Sequence, residues 1–234
     1  MIRTLGLIPA RGGSKGIARK NLACLAGVPL IAHTIESARK AVSLDRVIVS
    51  TNDEEIAAVA RNVGAEVPFM RPAELAEDTT PDLPVFVHAL EWLERHEGYV
   101  PTFIAHLRPT SPFRTAQHID EAVSLLRDHP DAHSVRSVAV PSETPFKMWQ
   151  IEGGRLSPLL AIDREKEPWN LPRQSLPSVY WQNACIDVIR YDTIMVHGSM
   201  SGAHIVPYVM DAGMIDIDTP LDLQLAEWAM RERT

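Results

Sequence analysis

The chain has 234 residues, 45% of them apolar and 23% charged, a composition that suits one large α/β domain able to bury a core. Its net charge of −7 disfavours non-specific binding to nucleic acid or to a membrane surface, and no apolar run approaches the roughly 18 residues of a bilayer span. The charge is uneven: residues 1–35 hold Arg3, Arg11, Lys15, Arg19 and Lys20 and no acid, while the rest holds 18 bases against all 30 acids, a net −12. A local basic island of that kind suits a small anionic ligand.

In chain order, TLGLIPA (4–10) is a short apolar run that feeds a Gly-rich loop, which predicts a buried strand. Residues 29–42 carry apolar side chains at helical spacing behind Pro29. RVIVST (46–51) is β-branched and predicts the next strand. Residues 53–63 predict a helix capped by Asn52 or Asp53 and closed by Gly64. AEVPFM (65–70) is a weaker strand. Thr80-Pro81 opens a helix through about Glu94, TFIAHL (102–107) is a strand, and Thr115 caps the helix AQHIDEAVSLLRDH. HSVRSVAV (133–140) is another strand. This β-α-β-α order predicts a mostly parallel sheet with helices on both faces.

From Pro141 to Pro177 six prolines fall within 37 residues and periodicity is lost, so 141–180 is expected to leave the sheet as an arm or a small β subdomain. WQNACIDVIRY (181–191) and HIVPYVM (204–210) return as strands, and Thr219-Pro220 starts the last helix. The whole chain, 1–234, is read as a single domain. The start MIRTLGLIPARGG lacks a secretory pattern, and Cys24 and Cys185 have no metal spacing. Two buried free thiols in a reducing cytoplasm are the expectation.

Four places can carry chemistry. In the loop Ala10-Arg11-Gly12-Gly13-Ser14-Lys15-Gly16-Ile17-Ala18-Arg19-Lys20-Asn21, three glycines let backbone amides approach an anion and the cations add charge. It is neither a Walker A motif nor GxGxxG. Its place after a strand in an α/β pattern favours phosphate binding over a merely solvated turn. In Ile215-Asp216-Ile217-Asp218, alternation puts both carboxylates on one side of an extended segment at the end of an expected strand. Such a pair suits Mg²⁺, which bridges phosphates; an N-cap Asp with a solvated neighbour is the plain alternative. Arg108-Pro109-Thr110-Ser111-Pro112-Phe113-Arg114 is a rigid loop presenting hydroxyls and guanidiniums. Lys147, Arg173, Gln174, Gln182 and Asn183 are isolated polar residues in or beside the Pro-rich segment.

The motifs ARGGSKGIARKN, RPAELAEDTTPD, RPTSPFR, PFK, PRQSLP, QNA and IDIDTPLDL, in this order from about Leu5 to Glu227, resemble the acylneuraminate cytidylyltransferases. The resemblance implies a Rossmann-like nucleotidyltransferase domain, CTP and a sugar acid of the nonulosonic class as substrates, Mg²⁺, and a homodimer whose Pro-rich arm helps build the partner's sugar site. It further implies a nucleotide site from Ala10, Arg11, Gly12, Gly13, Ser14, Lys20 and Asn21, with Arg71 and the segment Asp78 to Asp82 near the base. Arg11, Lys20 and Asp218 would act on the reacting phosphate, and Asp216 and Asp218 would hold Mg²⁺. Arg108, Thr110, Ser111, Lys147, Arg173, Gln182 and Asn183 would bind the sugar acid, with Lys147 and Arg173 facing its carboxylate from the other subunit. Three positions depart from the family. Arg108 replaces a frequent Gln and suggests a sugar acid other than ordinary sialic acid. Asp82 replaces a frequent Ser at the base position and could accept from cytosine or guanine. Ala18 replaces a frequent Pro.

The implied reaction is in-line attack of the anomeric hydroxyl on the α-phosphorus of CTP with loss of pyrophosphate, the phosphoryl charge met by fixed cations and amides. No residue stands out as general base; a metal-bound group and the substrate carboxylate both remain open. The rivals are a nucleotidyltransferase with another base or sugar, and a non-catalytic nucleotide-binding regulator on the same fold. A dinucleotide oxidoreductase is disfavoured by the missing GxGxxG.

Overall fold

The computed structural model describes residues 2–163, 165–211 and 213–232. The first strand, β1 (Thr4–Pro9), shows how the sequence sorts the layers. Leu5 and Leu7 point to one face of the sheet and Ile8 to the other, and all three are fully buried. A strand apolar on both sides must be covered on both sides. One cover is α1 (Leu30–Lys40), α2 (Glu54–Val63) and α4 (Ala116–Asp128); the other is α3 (Asp82–Glu97) with the short α5 (Tyr191–Met195). The remaining elements are β2 (Cys24–Leu25), β3 (Val28–Pro29), β4 (Arg46–Ser50), β5 (Phe103–His106), β6 (Ser134–Ala139), β7 (Trp149–Glu152), β8 (Arg155–Pro158), β9 (Trp181–Arg190), β10 (Ile205–Val209) and α6 (Pro220–Glu232).

The helix ends follow the capping residues. Asp53 accepts from the amides of Glu55 and Ile56 at 2.9 and 3.0 Å, and Gly64 closes α2 at φ 92°. Thr115 and His118 form a reciprocal cap on α4. Pro81 precedes the first turn of α3 instead of lying within it.

The main sheet has the order β10-β6-β9-β5-β1-β4. All pairs are parallel except those of β9, which runs antiparallel to both β5 and β6. The mostly parallel sheet with helices on both faces is therefore present, with one reversed strand near its middle. The reversal follows from the excursion after β6. That segment leaves from the carboxyl end of the sheet and re-enters at the same end, so the next strand runs the other way. Residues 141–180 hold three single-turn 3₁₀ helices and the exposed β7–β8 hairpin, a two-stranded sheet of its own.

Three local expectations are corrected. Residues 65–70 give only a one-residue bridge, Glu66 to Ile48, because Pro68 has no N–H to continue the ladder. Residues 215–218 form no strand. Ile215 and Ile217 instead pack with Leu25, Leu30, Phe113 and α6, and Ile217 donates to the carbonyl of Thr110 at 2.9 Å. Cys24 is exposed; Cys185 alone is buried, and both are free thiols. No helix among the described residues is long and apolar enough to cross a membrane.

Candidate active site

Strand order reverses beside β1: the chain adds β4 on one side and then β5 on the other. Ligands of open α/β sheets bind outside the carboxyl ends of strands at such a point. A cleft of about 240 Å³ lies there, lined by the ends of β1 and β5 and the start of α3. Of the residues named from the sequence, Arg11, Ser14, Lys20, Asn21, Arg71, Asp82, Arg108 and Thr110 line it.

The loop after β1 is held from below. Ala10 is buried and its amide donates to the Ser50 carbonyl at 2.9 Å, so it anchors the loop and offers no donor to the cleft. The Gly12 amide donates to Asn52 at 3.0 Å, and the Asn21 side chain donates to the Arg11 carbonyl at 2.9 Å. A Cβ on Gly13 would meet open space, whereas one on Gly16 would stand 2.2 Å from the Asp218 carbonyl oxygen. Only a glycine lets this loop lie against the 215–218 segment.

The loop cations face carboxylates. Asp78 is shared by Arg11 at 2.5 Å and Lys15 at 2.8 Å, and hydrogen bonds from these two hold its carboxyl below the usual range. Asp78 thus stands among the cations of the loop after β1. Lys20 reaches Asp218 at 2.7 Å. Asp216 accepts from Thr110, yet its other carboxylate oxygen is buried with no partner. Burial, and then the charge of Asp218, raise its pKa. A buried carboxylate oxygen without a donor, beside a second carboxylate and an anion-suited loop, fits a hard divalent cation that takes its remaining oxygens from phosphates and water. Among the described residues no cluster of three or more metal-ligating side chains occurs, so an all-protein cage is not built here.

The opposite wall carries a chain of charges. Arg108 contacts Asp82 at 3.1 Å and Asp187 at 3.5 Å, and Asp187 accepts from Arg136 at 2.9 Å. His106 lies 3.9 Å from Asp82 with both ring nitrogens unbonded. Burial, reinforced by Arg108, holds its pKa far below the usual histidine value. Arg71 donates to the Ser50 hydroxyl and carbonyl and to Leu75, and burial pushes its pKa down to about 10. It shapes the cleft with donors engaged in the fold. Arg114 is buried, donating to the carbonyls of Cys185 and Arg108 and to Thr34.

Three expected sugar contacts, Ser111, Asn183 and Gln182, do not line this cleft, and Lys147 and Arg173, expected at the partner subunit's cleft, lie on the excursion. Ser111 is buried and donates to the Ala184 carbonyl at 3.3 Å. Asn183 is buried and accepts from Ser137 at 2.6 Å. Gln182 is exposed on β9 beyond the cleft lining, and Lys147 is exposed on the excursion. Arg173 donates to the carbonyls of Pro141 and Ser142, tying the base of the excursion together.

Residues 5–151 match the family model described as Cytidylyltransferase. The CMP-N,N'-diacetyllegionaminic acid synthase of Legionella pneumophila is 32% identical over 99% of this chain and 96% of its own length. The chain belongs to the acylneuraminate cytidylyltransferase family. The N-acylneuraminate cytidylyltransferase of Escherichia coli is 32% identical over 96% of this chain, which spans about half of that protein (51%). In fold, a CMP:2-keto-3-deoxy-manno-octonic acid synthetase solved with CTP superposes with a TM-score of 0.73 over 99% of this chain and 100% of its own, at 17% identity.

This cytidylyltransferase is thus an enzyme, and behind the cleft lining lie ionisable residues that sequence reasoning passed over: the buried His106 and the Arg136–Asp187 pair that Arg108 approaches. Their signal was present. Arg136 and Asp187 are single charges inside otherwise apolar strands, and a charge placed there must be paired when the strand is buried.

Proposed function

We propose that this cytidylyltransferase moves CMP from CTP to the anomeric hydroxyl of a nonulosonic acid, with Mg²⁺ and release of pyrophosphate. The observation that carries the reading is the meeting of two distant segments: the phosphate-loop candidate and the Asp216/Asp218 segment touch at Gly16 and again at the Lys20–Asp218 pair. Arg11, Lys20 and the loop amides would hold the triphosphate. On binding, the nucleotide replaces Asp78 at Arg11 and Lys15. The sugar hydroxyl gives up its proton to water and forms its bond to the α-phosphorus as the bond from that phosphorus to the oxygen shared with the β-phosphate breaks. Cations already in place meet the charge on the leaving pyrophosphate, which is where fixed electrostatics lower the barrier. Asp216 and Asp218 would hold Mg²⁺, which would supply positive charge against the reacting phosphates. Arg108 and Thr110 line the sugar end.

Lys147, free on the excursion, fits a homodimer in which it reaches the partner's cleft. The apolar exposure around it, Ile151 at 77% and Leu156 at 62%, supports that assembly. The reading places the enzyme in the cytoplasm, where CTP is available.

The decisive test is pyrophosphate release from each of the four NTPs with a panel of nonulosonic acids, with and without Mg²⁺. Turnover is expected with CTP alone. Asp218→Asn is expected to keep the far-ultraviolet CD spectrum and to lose about 100-fold or more in kcat. Wild-type rates in that variant would remove the metal assignment.

A further inference from the structure

We propose that Asp53 and Arg19 are positioning residues of the nucleotide site: the Asp53 carboxylate holds Arg19 in a left-handed backbone turn, and that turn aims Lys20 and Asn21 into the cleft. The proposal rests on the nucleotide-binding part of the reading above and lies one step behind it.

The backbone carries the inference. Arg19 has φ 50° and ψ 41°, in the left-handed region that residues with a Cβ avoid. Among the described residues only Ala26 and Ala184 also adopt a positive φ without being glycine. The Arg19 carbonyl accepts from the Leu22 amide at 2.8 Å, so the chain passes from this turn straight into the 3₁₀ turn Lys20–Leu22. Lys20 and Asn21 then line the cleft, whereas Arg19 does not. Lys20 reaches Asp218 at 2.7 Å, and the buried Asn21 donates back to the Arg11 carbonyl at 2.9 Å. Two residues of the nucleotide site therefore depend on one unfavourable backbone conformation just before them.

Asp53 supplies the hold. As the cap of α2 it accepts from the Glu55 and Ile56 amides through Oδ1 alone. Arg19 Nη2 meets both of its oxygens, Oδ1 at 3.0 Å and Oδ2 at 2.9 Å. The cap already fixes the carboxylate, so this pair loses less side-chain entropy than two free chains would. The same carboxylate packs against the other end of the loop. A Cβ on Gly12 would stand 2.8 Å from Oδ2, and the neighbouring Asn52 accepts from the Gly12 amide at 3.0 Å. The turn between β4 and α2 thus grips both ends of the segment 12–19. Glu55 also meets Arg19, at 3.0 Å, but its side chain is 65% exposed, and an exposed pair of that kind contributes little. The plain alternative is that Arg19 contacts phosphate itself. Its place outside the cleft lining and its engagement by both Asp53 oxygens favour the positioning role.

Glycine separates the two, because it reaches this turn without strain and carries no charge. The test titrates CTP with Mg²⁺ calorimetrically into wild type, Arg19→Ala, Arg19→Gly, Asp53→Ser and the Arg19→Gly/Asp53→Ser double variant. Serine keeps an acceptor for the cap and loses the carboxylate. Arg19→Ala retains the strain and loses the hold, and is expected to bind CTP about five- to tenfold more weakly, since only the fraction of loops in the turn is competent. Arg19→Gly is expected to stay within about twofold of wild type. Asp53→Ser should cost about three- to fivefold alone and less than about twofold in the Arg19→Gly background, where nothing is left to hold. In turnover the change is expected in KM for CTP, with kcat and KM for the sugar acid within about twofold. If Asp53→Ser does not fold, the contrast between Arg19→Ala and Arg19→Gly decides alone. Equal losses in those two variants, wild-type affinity in Arg19→Ala or in Asp53→Ser, or additive losses in the double variant overturn the proposal and leave the transfer reading standing. A folded wild type that neither binds CTP nor releases pyrophosphate overturns both.

Discussion

The two walls of the cleft handle positive charge differently. On the loop after β1, Arg11, Lys15, Arg19 and Lys20 are all paired; the partners Asp78, Glu55 and Asp218 are well exposed, and Asp53, the second partner of Arg19, is less so. On the wall built by β5, β6 and β9, Arg136 is held by the buried Asp187 and Arg114 by interior backbone carbonyls, while Arg108 spans from Asp187 to the more exposed Asp82. Exposed ion pairs contribute little and exchange easily, whereas removing one member of a buried set strands the other. The loop's ion pairs are thus the more exchangeable ones. The wall is built to keep its partners.

Breaking the wall should have the largest effect. Arg114→Met takes a donor from the buried Cys185 carbonyl, the Arg108 carbonyl and the Thr34 hydroxyl, and urea unfolding is expected to show a loss of about 2–4 kcal/mol. A loss below about 1 kcal/mol would put Arg114 in the exchangeable class. His106 gives the next effect. Its folded pKa lies well below the unfolded value near 6.5, so its contribution to stability is complete above about pH 6.5. As pH falls through that value the unfolded state takes up the proton first. Stability then drops by up to about 1.4 kcal/mol per pH unit from this group, and His106→Leu should reduce the slope of unfolding curves at pH 7.5, 6.5 and 5.5 to what His88 and His118, also held low by burial, contribute. The smallest effect is on the loop. Asp78→Asn removes a competitor for Arg11 and Lys15, so CTP should bind about two- to fivefold more tightly in calorimetric titration. Weaker binding would instead make Asp78 a contact of the nucleotide.

The loop side of this comparison was legible in the sequence, and the wall was not, for a physical reason. A phosphate loop is local: its glycines, cations and preceding strand are contiguous, and Arg11, Ser14, Lys20 and Asn21 all reach the cleft. The helix caps at Asp53 and Thr115 are local too. The Arg108–Asp187–Arg136 set joins β6 and the segment after β5 through the register of β9, whose direction the sequence pattern left open. Its reversal depends on where residues 141–180 re-enter the sheet, which no spacing encodes. The Asp216/Asp218 pair lies between. Alternation put both carboxylates on one side, and the inward Ile215 and Ile217 achieve that without a strand.

The reversed strand also has a consequence for how the chain is made. β5 and β6 share no hydrogen bonds; β9 is the seam between them. During synthesis β1, β4 and β5 can assemble once residue 106 has emerged, but β6 gains no partner until β9 and β10 follow the whole excursion. Such long-range closure is slow, and until then the open edge of β5 is a template for pairing with other chains. Conversion of the nascent chain into a sheet without that edge therefore awaits residues 181–190, and the exposed 141–180 segment must be spelled out before the centre of the molecule can close.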